Sequence, residues 1–268
     1  MDNSYEKETA QAGELAALAS TKTNYFIFRL EPGGLFQTHR GVIPHDQLIG
    51  MKWGSEVLSH KGSPFYLLRP GIYEILSTTK RNTQIMYPKD IGFILMKMNI
   101  GLGTNMIEAG TGSGGFTQIL SLMVGNEGHV YSYERREEMT NLARKNLAKI
   151  GAPDNVTFYN RDIEEGFDQK DMDAVFLDLP NPYDYLTQVR AALIPGGQFG
   201  TLLPTTNQIT KLLMELRRNN FEFIDVCEIL MRFYQAEAEK FRPVDRMVAH
   251  TGYLIFARPI KKIEQSNE

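Results

Sequence analysis

The sequence predicts an α/β protein in which a Rossmann-like domain with a seven-stranded sheet follows a small β-rich domain. From Thr104 onward, short apolar runs that suit buried strands alternate with helical stretches. Between Asn24 and Thr79, the apolar runs YFIFRL, QLIGM and FYLLR alternate with turns rich in glycine and proline, such as EPGG and HKGSP. This pattern predicts strands joined by turns, and hence a small all-β module. A glycine-rich turn follows the first strand of the alternating part, where such folds bind ligands.

Three segments follow from these patterns. Residues 1–22 are polar and rich in alanine, with no long apolar pattern, and we predict a flexible tail or a short helix there. Residues 23–85 form the predicted β-rich domain, and residues 86–262 the α/β domain. Pro88 opens an apolar helical stretch just after this boundary. A chain of 268 residues is long enough for both domains.

Seven strands can be placed in the larger domain. Five apolar runs are separated by helices or turns and suit parallel strands: TNMIEA, HVYSYE, NVTFYN, DAVFLDL and QFGTLLP. The runs FEFIDVCEILMRFYQ and HTGYLIFARP follow with no helix between them. We therefore expect an antiparallel hairpin to finish the sheet.

Composition limits the possible classes. The chain is 42% hydrophobic and 23% charged, as soluble globular proteins are. It has no run of about 20 apolar residues, and its polar start is unlike a secretory signal. The single cysteine, Cys227, excludes an intramolecular disulfide and a multi-cysteine zinc site. We expect a cytoplasmic protein without a membrane segment.

Two further features bear on binding partners. The net charge of −3 does not indicate a nucleic-acid binder, but residues 52–97 contain seven Lys or Arg against three acids. An ordinary solvated face explains that surplus equally well. His39, His45 and His60 have no helical i, i+4 spacing, so no metal site is predicted.

The turn after the first strand has the sequence EAGTGSGG, and glycine lets a backbone approach a ligand closely. It also satisfies the dinucleotide fingerprint G-x-G-x-x-G, and a tight strand-to-helix turn without a ligand remains another reading. The candidate binding residues of this loop are Gly110, Gly112, Ser113, Gly114 and Gly115.

Three carboxylates narrow the choice of cofactor. Glu108 precedes the glycines, where its charge attracts a sulfonium and an ammonium group but repels a pyrophosphate. Glu134 ends the second strand and suits the two ribose hydroxyls, as in NAD enzymes. Asp162 follows the third strand and can reach an adenine amino group, or else cap a helix. Together they predict S-adenosylmethionine.

Asp178 ends the fourth strand, in VFLDLPNPYDY, and is the candidate catalytic residue. Ligands of open α/β sheets bind at this edge, so we place Asp178 beside the cofactor as well as on the substrate. A carboxylate here can accept from the N6 amino group of adenine and stabilise charge that develops when N1 is methylated. The alternative is a strand-end carboxylate satisfied within the fold. Tyr183 suits either stacking on a flipped base or capping the next helix.

With these residues in place, the chain resembles the tRNA (adenine-N1)-methyltransferases that modify the T-loop adenosine at position 58. The resemblance extends from about Phe26 to Pro259. Its motifs are THRGVIPHDQLIG, GSPFYLLRP, RNTQIMYPKD, EAGTGSGG and FLDLPNPY. It implies the class I methyltransferase fold, tRNA as substrate and a homotetramer, as in the bacterial and archaeal members.

Site residues also follow from the resemblance. It implies that Gln84 contacts the cofactor together with the loop and the three acids, that Asp178 holds the target adenine, and that Tyr87 lines its pocket. The chain departs from the family at Tyr183, where members often have tryptophan. Some members carry a basic residue five positions after the ribose-binding acid, but here that residue is Met139.

Three other readings remain open. A protein carboxyl methyltransferase of the isoaspartyl-repair kind shares the glycine loop but leaves DLPNPY without a role. An adenine-N6 methyltransferase would have an [Asp/Asn]-Pro-Pro-aromatic motif, and Asn181-Pro182-Tyr183 matches part of it. Leu179 and the missing pair of adjacent prolines argue against this reading. A non-catalytic tRNA-binding subunit would be expected to lose the glycine loop or the residue at Asp178, and both are present.

Overall fold

The structure of the chain is a computed structural model that describes residues 8–20, 24–82 and 86–261. The chain divides into two compact units: residues 1–80 with 144–152, and residues 81–143 with 153–268. The predicted domain boundary lies directly after residues 83–85, which are outside the described residues. The exact position of this boundary therefore stays a prediction.

The first unit contains a four-stranded antiparallel sheet in the order β2-β1-β6-β5, and a separate β3–β4 hairpin. Its strands are β1 (Leu15–Ala19), β2 (Tyr25–Arg29), β3 (Leu35–Thr38), β4 (Gly41–Pro44), β5 (Glu56–Leu58) and β6 (Pro64–Leu68). Two short helices, α1 (His45–Leu48) and α2 (Ile72–Thr78), accompany them. Phenylalanines in edge-to-face contact, such as Phe36 and Phe65 at 5.6 Å, fill its core.

The prediction of a flexible tail over residues 1–22 is wrong for the residues described there. β1 pairs with both β2 and β6, and Ala16, Ala17 and Leu18 are fully buried. Alanine has a low strand propensity, so the LAALA run gives little local signal. β1 is instead held by its pairing with β2 and β6, which both lie further along the chain.

Two shorter stretches also differ from expectation. The run QLIGM was predicted as a strand, but its first residues belong to α1. The small domain was predicted to be all β, yet it contains α1 and α2. Gly71 caps α2, and its backbone N–H donates to Glu74 at 2.9 Å, which satisfies a free donor of the first turn.

The second unit is built on a seven-stranded sheet in the order β12-β13-β11-β10-β7-β8-β9. Its strands are β7 (Asn105–Ala109), β8 (His129–Tyr133), β9 (Val156–Tyr159), β10 (Met172–Leu177), β11 (Leu193–Leu203), β12 (Phe221–Cys227) and β13 (Tyr253–Pro259). The α-helices are α3 (Pro88–Lys97), α4 (Gly115–Val124), α5 (Glu137–Ile150), α6 (Leu186–Ala192) and α7 (Thr206–Arg218), of which α5 runs across the division between the units. Two short 3-10 helices cover Pro182–Asp184 and Ala238–Lys240.

The sheet topology confirms the predicted fold class. Strands β7 to β11 pair in parallel, whereas β13 is antiparallel to both β11 and β12, as the expected terminal hairpin requires. The chain turns from β7 to β8 on one side and later returns to β10 on the other. The switch point therefore lies between β7 and β10, and a crevice opens there at the carboxyl ends of the strands.

Residues 228–252, between β12 and β13, form a largely irregular segment. The sequence predicts a strand as far as residue 235, but β12 ends at Cys227. Cys227 pairs with Leu254, the second residue of β13, so the partner strand ends close to this point. Seven large apolar side chains of this segment are exposed: Leu230, Met231, Phe233, Tyr234, Phe241, Met247 and Val248. We refer to residues 228–252 as the exposed segment.

We expect Leu18→Ala to destabilise the first unit by about 2–5 kcal/mol, because it removes a fully buried side chain from the strand between β2 and β6. Trp53, the only tryptophan, packs against this core, so its fluorescence during urea unfolding reports on the unit. Leu35→Ala is the control, since Leu35 is 55% exposed and its loss should cost less than about 0.5 kcal/mol. Equal effects of the two substitutions would contradict a structured β1.

Candidate cofactor and substrate site

A recess of about 360 Å³ opens at the carboxyl edge of the parallel strands in the second unit. This volume lies within the range of small-molecule sites. Five of the predicted site residues line it: Gly110, Gly112, Glu134, Asp162 and Asp178. They follow β7, β8, β9 and β10, so the fold brings together residues that the sequence spreads over about 70 positions.

The glycine loop packs tightly against the end of β10. Gly110 has a φ of +96°, and a Cβ built on it would overlap the backbone carbonyl oxygen of Asp178. The N–H of Asp178 in turn donates to the carbonyl of Ala109 at 2.8 Å. A side chain at position 110 would therefore push the loop and Asp178 apart.

The rest of the loop leads into α4. Gly112 donates its backbone N–H to Glu134 Oε2 at 3.0 Å, which joins the loop to the end of β8. Ser113 is buried, and its hydroxyl accepts from the N–H of Asn82 at 3.2 Å. Gly114 caps the helix in the left-handed region, and Gly115 begins it. These last three residues shape the loop without lining the recess.

Glu108 lies beneath the loop and is only 2% exposed. Its Oε2 atom accepts two hydrogen bonds, from Ser132 Oγ and Thr117 Oγ1, both at 2.7 Å. Burial raises the pKa of Glu108 to about 7, and the two hydroxyls act in the opposite direction. Near neutral pH this carboxyl therefore exchanges between its neutral and ionised forms.

Glu134 is paired with Arg136, a residue that the sequence analysis did not select. Arg136 donates from Nε to Oε1 at 2.9 Å, from Nη2 to Oε2 at 3.2 Å, and from its backbone N–H to Oε1 at 3.1 Å. Burial acts to raise the pKa of Glu134, but these bonds and the one from Gly112 outweigh it and lower the pKa. Glu134 is therefore ionised at neutral pH.

Asp162 lies at the far side of the recess, half-buried after β9. Its Oδ1 atom accepts from the N–H of Glu164 at 3.1 Å, which stabilises a turn. No helix begins at this position, so the alternative of a helix N-cap does not hold for Asp162.

Asp178 has no hydrogen-bond donor for its carboxylate among residues 8–20, 24–82 and 86–261. Asp178 is exposed to solvent at the recess, but protein atoms lie densely around its carboxyl group. This partial desolvation raises the pKa of Asp178 to about 6. The alternative of a carboxylate satisfied within the fold is therefore not supported.

Two other selected residues, Tyr87 and Tyr183, are not among the residues that line the recess. A third, Gln84, falls outside the described residues. Tyr87 is the half-buried N-cap residue of α3, and the recess lining does not include it. Tyr183 packs against the core, and Lys211 Nζ lies 3.7 Å from the centre of its ring. Because Lys211 covers one ring face, capping of the following helix is favoured over base stacking for Tyr183.

Sequence reasoning missed Ser132, Thr117 and Arg136, although two of them had a readable signal. In the sheet register Ser132 lies beside Glu108, so a hydroxyl on that face of β8 is a natural partner for the carboxylate. Arg136 follows Glu134 by two residues, whereas our search considered the fifth position. The hydroxyl of Thr117 reaches Glu108 only through the orientation of the first turn of α4, which the sequence alone does not give.

Comparison with known proteins finds matching families over most of the chain. The profile of the family described as "tRNA methyltransferase complex GCD14 subunit" matches residues 65–245. A second profile, "TrmI-like N-terminal", matches residues 10–57, which include β1. A tRNA (adenine(57)-N(1)/adenine(58)-N(1))-methyltransferase TrmI from Methanocaldococcus jannaschii is 34% identical over 260 residues, covering 87% of this chain and 91% of that protein.

The chain belongs to the tRNA (adenine-N1)-methyltransferase family. Another member, the tRNA (adenine(58)-N(1))-methyltransferase TrmI of Thermus thermophilus, is 32% identical, covering 87% of this chain and 92% of that protein. S-adenosylmethionine is the cofactor of this family and fold, and the glycine-loop recess suits it. The dinucleotide reading of the loop is thereby excluded.

Solved structures agree on the fold over nearly the whole chain. The structure of a tRNA (m1A58) methyltransferase TrmI from Aquifex aeolicus matches with a TM-score of 0.79 and 36% identity, covering 95% of this chain and all of that one. A protein named a SAM-dependent O-methyltransferase, from Thermotoga maritima, matches with a TM-score of 0.87 and 39% identity, covering 98% and 99% of the two chains.

In the ranges 8–20, 24–82 and 86–261, no three His, Cys, Asp or Glu side chains are grouped so as to hold a metal ion. None of the helices described in those ranges combines the length and apolar character that crossing a bilayer requires.

We expect Gly110→Ala to weaken S-adenosylmethionine binding by more than about tenfold, because the added methyl group displaces the loop from the end of β10. Isothermal titration calorimetry measures the affinity. Gly103→Ala is the matched control: Gly103 also has a positive φ, +81°, but no atom lies within 4 Å of its added Cβ. If both variants bind equally well, the contact between Gly110 and Asp178 does not control the recess.

Proposed function

We propose that the chain is a tRNA (adenine(58)-N1)-methyltransferase that transfers a methyl group from S-adenosylmethionine to N1 of the T-loop adenosine. The observation that carries the proposal is the unpaired carboxylate of Asp178 at the recess, next to the glycine loop. Relatives of known name that act on this adenosine span most of the chain.

The cofactor supplies an electrophilic methyl group on a sulfonium. In the proposed arrangement Glu108 attracts the ammonium and sulfonium charges, Glu134 accepts from the ribose hydroxyls, and Asp162 accepts from the adenine amino group. Gln84, Ser113, Gly114 and Gly115 complete the proposed contacts, together with Gly110 and Gly112. Tyr87 remains a proposed pocket residue for the substrate.

The pairing of Arg136 with Glu134 has a consequence for the ribose. Two carboxylate oxygens offer about four acceptor positions, and in this structure three donors of Arg136 and one of Gly112 use them. Ribose hydroxyls bound at Glu134 therefore share or replace bonds from the Arg136 side chain. Arg136 lines the same recess, so it needs only a local rotation to do so.

Asp178 orients the adenine of the substrate and stabilises the charge that develops on it. Its ionised carboxylate accepts from the N6 amino group of adenine, and this orients N1 toward the methyl group. N1 has a free lone pair, so no general base is needed to start the reaction. As N1 is alkylated, positive charge spreads to N6, and the negative charge of Asp178 stabilises it.

Mapping the product on unmodified tRNA tests the function. The purified chain is incubated with labelled S-adenosylmethionine and unmodified tRNA, and the labelled nucleoside is identified and located. We expect 1-methyladenosine at position 58. Label on a ribose oxygen would favour the activity named for the Thermotoga maritima protein, and label at position 57 as well would match the Methanocaldococcus jannaschii relative.

We further propose a cytoplasmic homotetramer. Cytoplasmic location accords with the single cysteine and with a tRNA substrate. Assembly is supported by the exposed segment, which presents apolar side chains such as Leu230, at 61% exposure, and Phe241, at 70%. Contiguous apolar surface of this kind marks protein–protein contacts. Tyr234 stacks on Phe241 at 5.3 Å, which gives the surface a defined aromatic face.

The parent chain should sediment at four times its 30.5 kDa mass, and the double variant Phe233→Ser/Phe241→Ser at a lower mass, because the serines weaken an apolar interface. Leu102→Ser is the control, since Leu102 is 82% exposed but lies outside the exposed segment. Analytical ultracentrifugation gives the masses. A parent chain that sediments as a monomer at micromolar concentration would rule out the tetramer.

Replacing Asp178 with alanine should lower the methylation rate about 10²–10³-fold, as expected for loss of one preorganised electrostatic partner. Asp178→Asn should be impaired as well, because the amide accepts from N6 but carries no charge. Single-turnover assays at saturating S-adenosylmethionine measure the rate. Because the ionised form is required and its pKa is about 6, the parental rate should fall as the pH drops through 6.

The acid limb of this profile should vanish in Asp178→Asn, and cofactor affinity should stay close to parental in both variants. A parental methylation rate in either variant would show that Asp178 does not act on the adenine.

A further inference from the structure

A chain of buried hydroxyls leads to Glu108. Thr111 Oγ1 lies 2.6 Å from Ser132 Oγ, Ser132 Oγ lies 2.7 Å from Glu108 Oε2, and Thr117 Oγ1 lies 2.7 Å from the same oxygen. All four residues are buried, with exposed fractions of 4% or less. Two of the three hydroxyls, those of Ser132 and Thr117, bond the same carboxylate oxygen.

The direction of these bonds follows from counting protons. A serine hydroxyl has one proton, and an ionised carboxylate can only accept. Ser132 therefore donates its only hydroxyl proton to Glu108 and must accept a hydrogen bond from Thr111. When Glu108 is ionised, the bonds run from Thr111 to Ser132 to Glu108, while Thr117 donates from α4 on the other side.

Every other influence on Glu108 disfavours its charge. Burial removes it from water, and the carboxylates of Asp178, on β10, and Glu134, after β8, repel a further negative charge. The hydroxyls of Ser132 and Thr117 are the influences that favour the ionised form. A hydrogen bond to a charged acceptor in such surroundings is stronger than one between neutral groups.

We propose that Thr117 and Ser132, with Thr111 behind Ser132, are positioning residues that hold Glu108 in its ionised form and so set the pH range in which the chain binds its positively charged cofactor. This proposal rests on the proposed placement of Glu108 beside the ammonium and sulfonium groups. The three hydroxyl residues do not line the recess, and they act through the charge of one carboxylate.

The pH dependence of binding follows. Since the pKa of Glu108 is about 7, parental affinity for S-adenosylmethionine should rise as the pH increases through 7. Loss of one hydrogen bond to the carboxylate should move this midpoint upward by about one to two pH units. At pH 7 the variant is then mostly neutral at position 108, and its affinity should be about tenfold lower than parental. The difference should close as the pH approaches 9.

Thr117→Val and Ser132→Ala are the test variants, since each removes a hydroxyl with little change of volume. Thr117→Ser restores the hydroxyl and should restore the parental midpoint. Ser121→Ala is the matched control, because Ser121 is a buried hydroxyl one turn along the same helix α4 that bonds Asn155 at 2.6 Å instead of Glu108. It should leave the midpoint unchanged even if it lowers stability.

Calorimetry between pH 5.5 and 9 gives the dissociation constants, and the ratio of variant to parent cancels titration of the ligand's own amine. The second ligand is 5′-methylthioadenosine, which shares the adenosine part but lacks both positive charges. Its affinity should show no midpoint near pH 7 in any of the proteins.

Two results would overturn the proposal. One is a midpoint that stays parental in both Thr117→Val and Ser132→Ala. The other is an equal loss of affinity at every pH for both ligands, which would mean that the hydroxyls only maintain the shape of the recess. These measurements use no tRNA, so failure of the proposed methylation at adenosine 58 would be seen separately, in the product map.

Discussion

The contact between Gly110 and the backbone of Asp178 is the constraint on which the site depends. Two adjacent strands, β7 and β10, end at the same level, and the absence of a side chain at Gly110 lets the loop pass against the Asp178 carbonyl. The proposed cofactor side and the proposed substrate side are thereby held within one recess. A methyl transfer needs its donor and acceptor in line, so this contact sets the geometry of the reaction.

Glu134 and Asp178 line that recess, Glu108 lies beneath its glycine loop, and the surroundings of these three carboxylates give them different pKa values. Glu134 is ionised because Arg136 and a backbone N–H bind it, whereas burial raises the pKa of Glu108 to about 7 and that of Asp178 to about 6. Three full negative charges at close range would repel one another. A cationic cofactor relieves this repulsion, so the charge pattern of the recess favours S-adenosylmethionine over an anionic dinucleotide.

The exposed segment raises a separate physical problem for the chain. The segment carries exposed apolar side chains and connects β12 to β13 at one edge of the sheet. β13 offers almost no pairing positions for the chain beyond Cys227. The segment therefore cannot extend the sheet within the described residues. The proposed assembly would cover it, and this explains why a stretch that reads as a strand in sequence is irregular in a single copy.

The sequence by itself determined the fold class and most of the candidate site. Alternation of strands and helices predicts the sheet, and Glu108, Glu134, Asp162 and Asp178 are each identified because they end or follow a strand. The position of each acid at the end of a strand can be identified from the neighbouring residues alone. The carboxyl ends of parallel strands meet at one edge of the sheet, so these positions predict a shared site. The motif resemblance then narrowed the chemistry to an adenine.

Only the tertiary structure decided the contacts between these residues. The burial of β1, the bidentate bond of Arg136 and the hydroxyls of Ser132 and Thr117 on Glu108 all join positions that are 2 to 51 residues apart. For Tyr183, capping of the next helix is favoured over stacking because Lys211, on a later helix, covers one face of its ring. Hydrogen bonds and pKa values depend on distance and on excluded water, and neither is a property of a local sequence pattern.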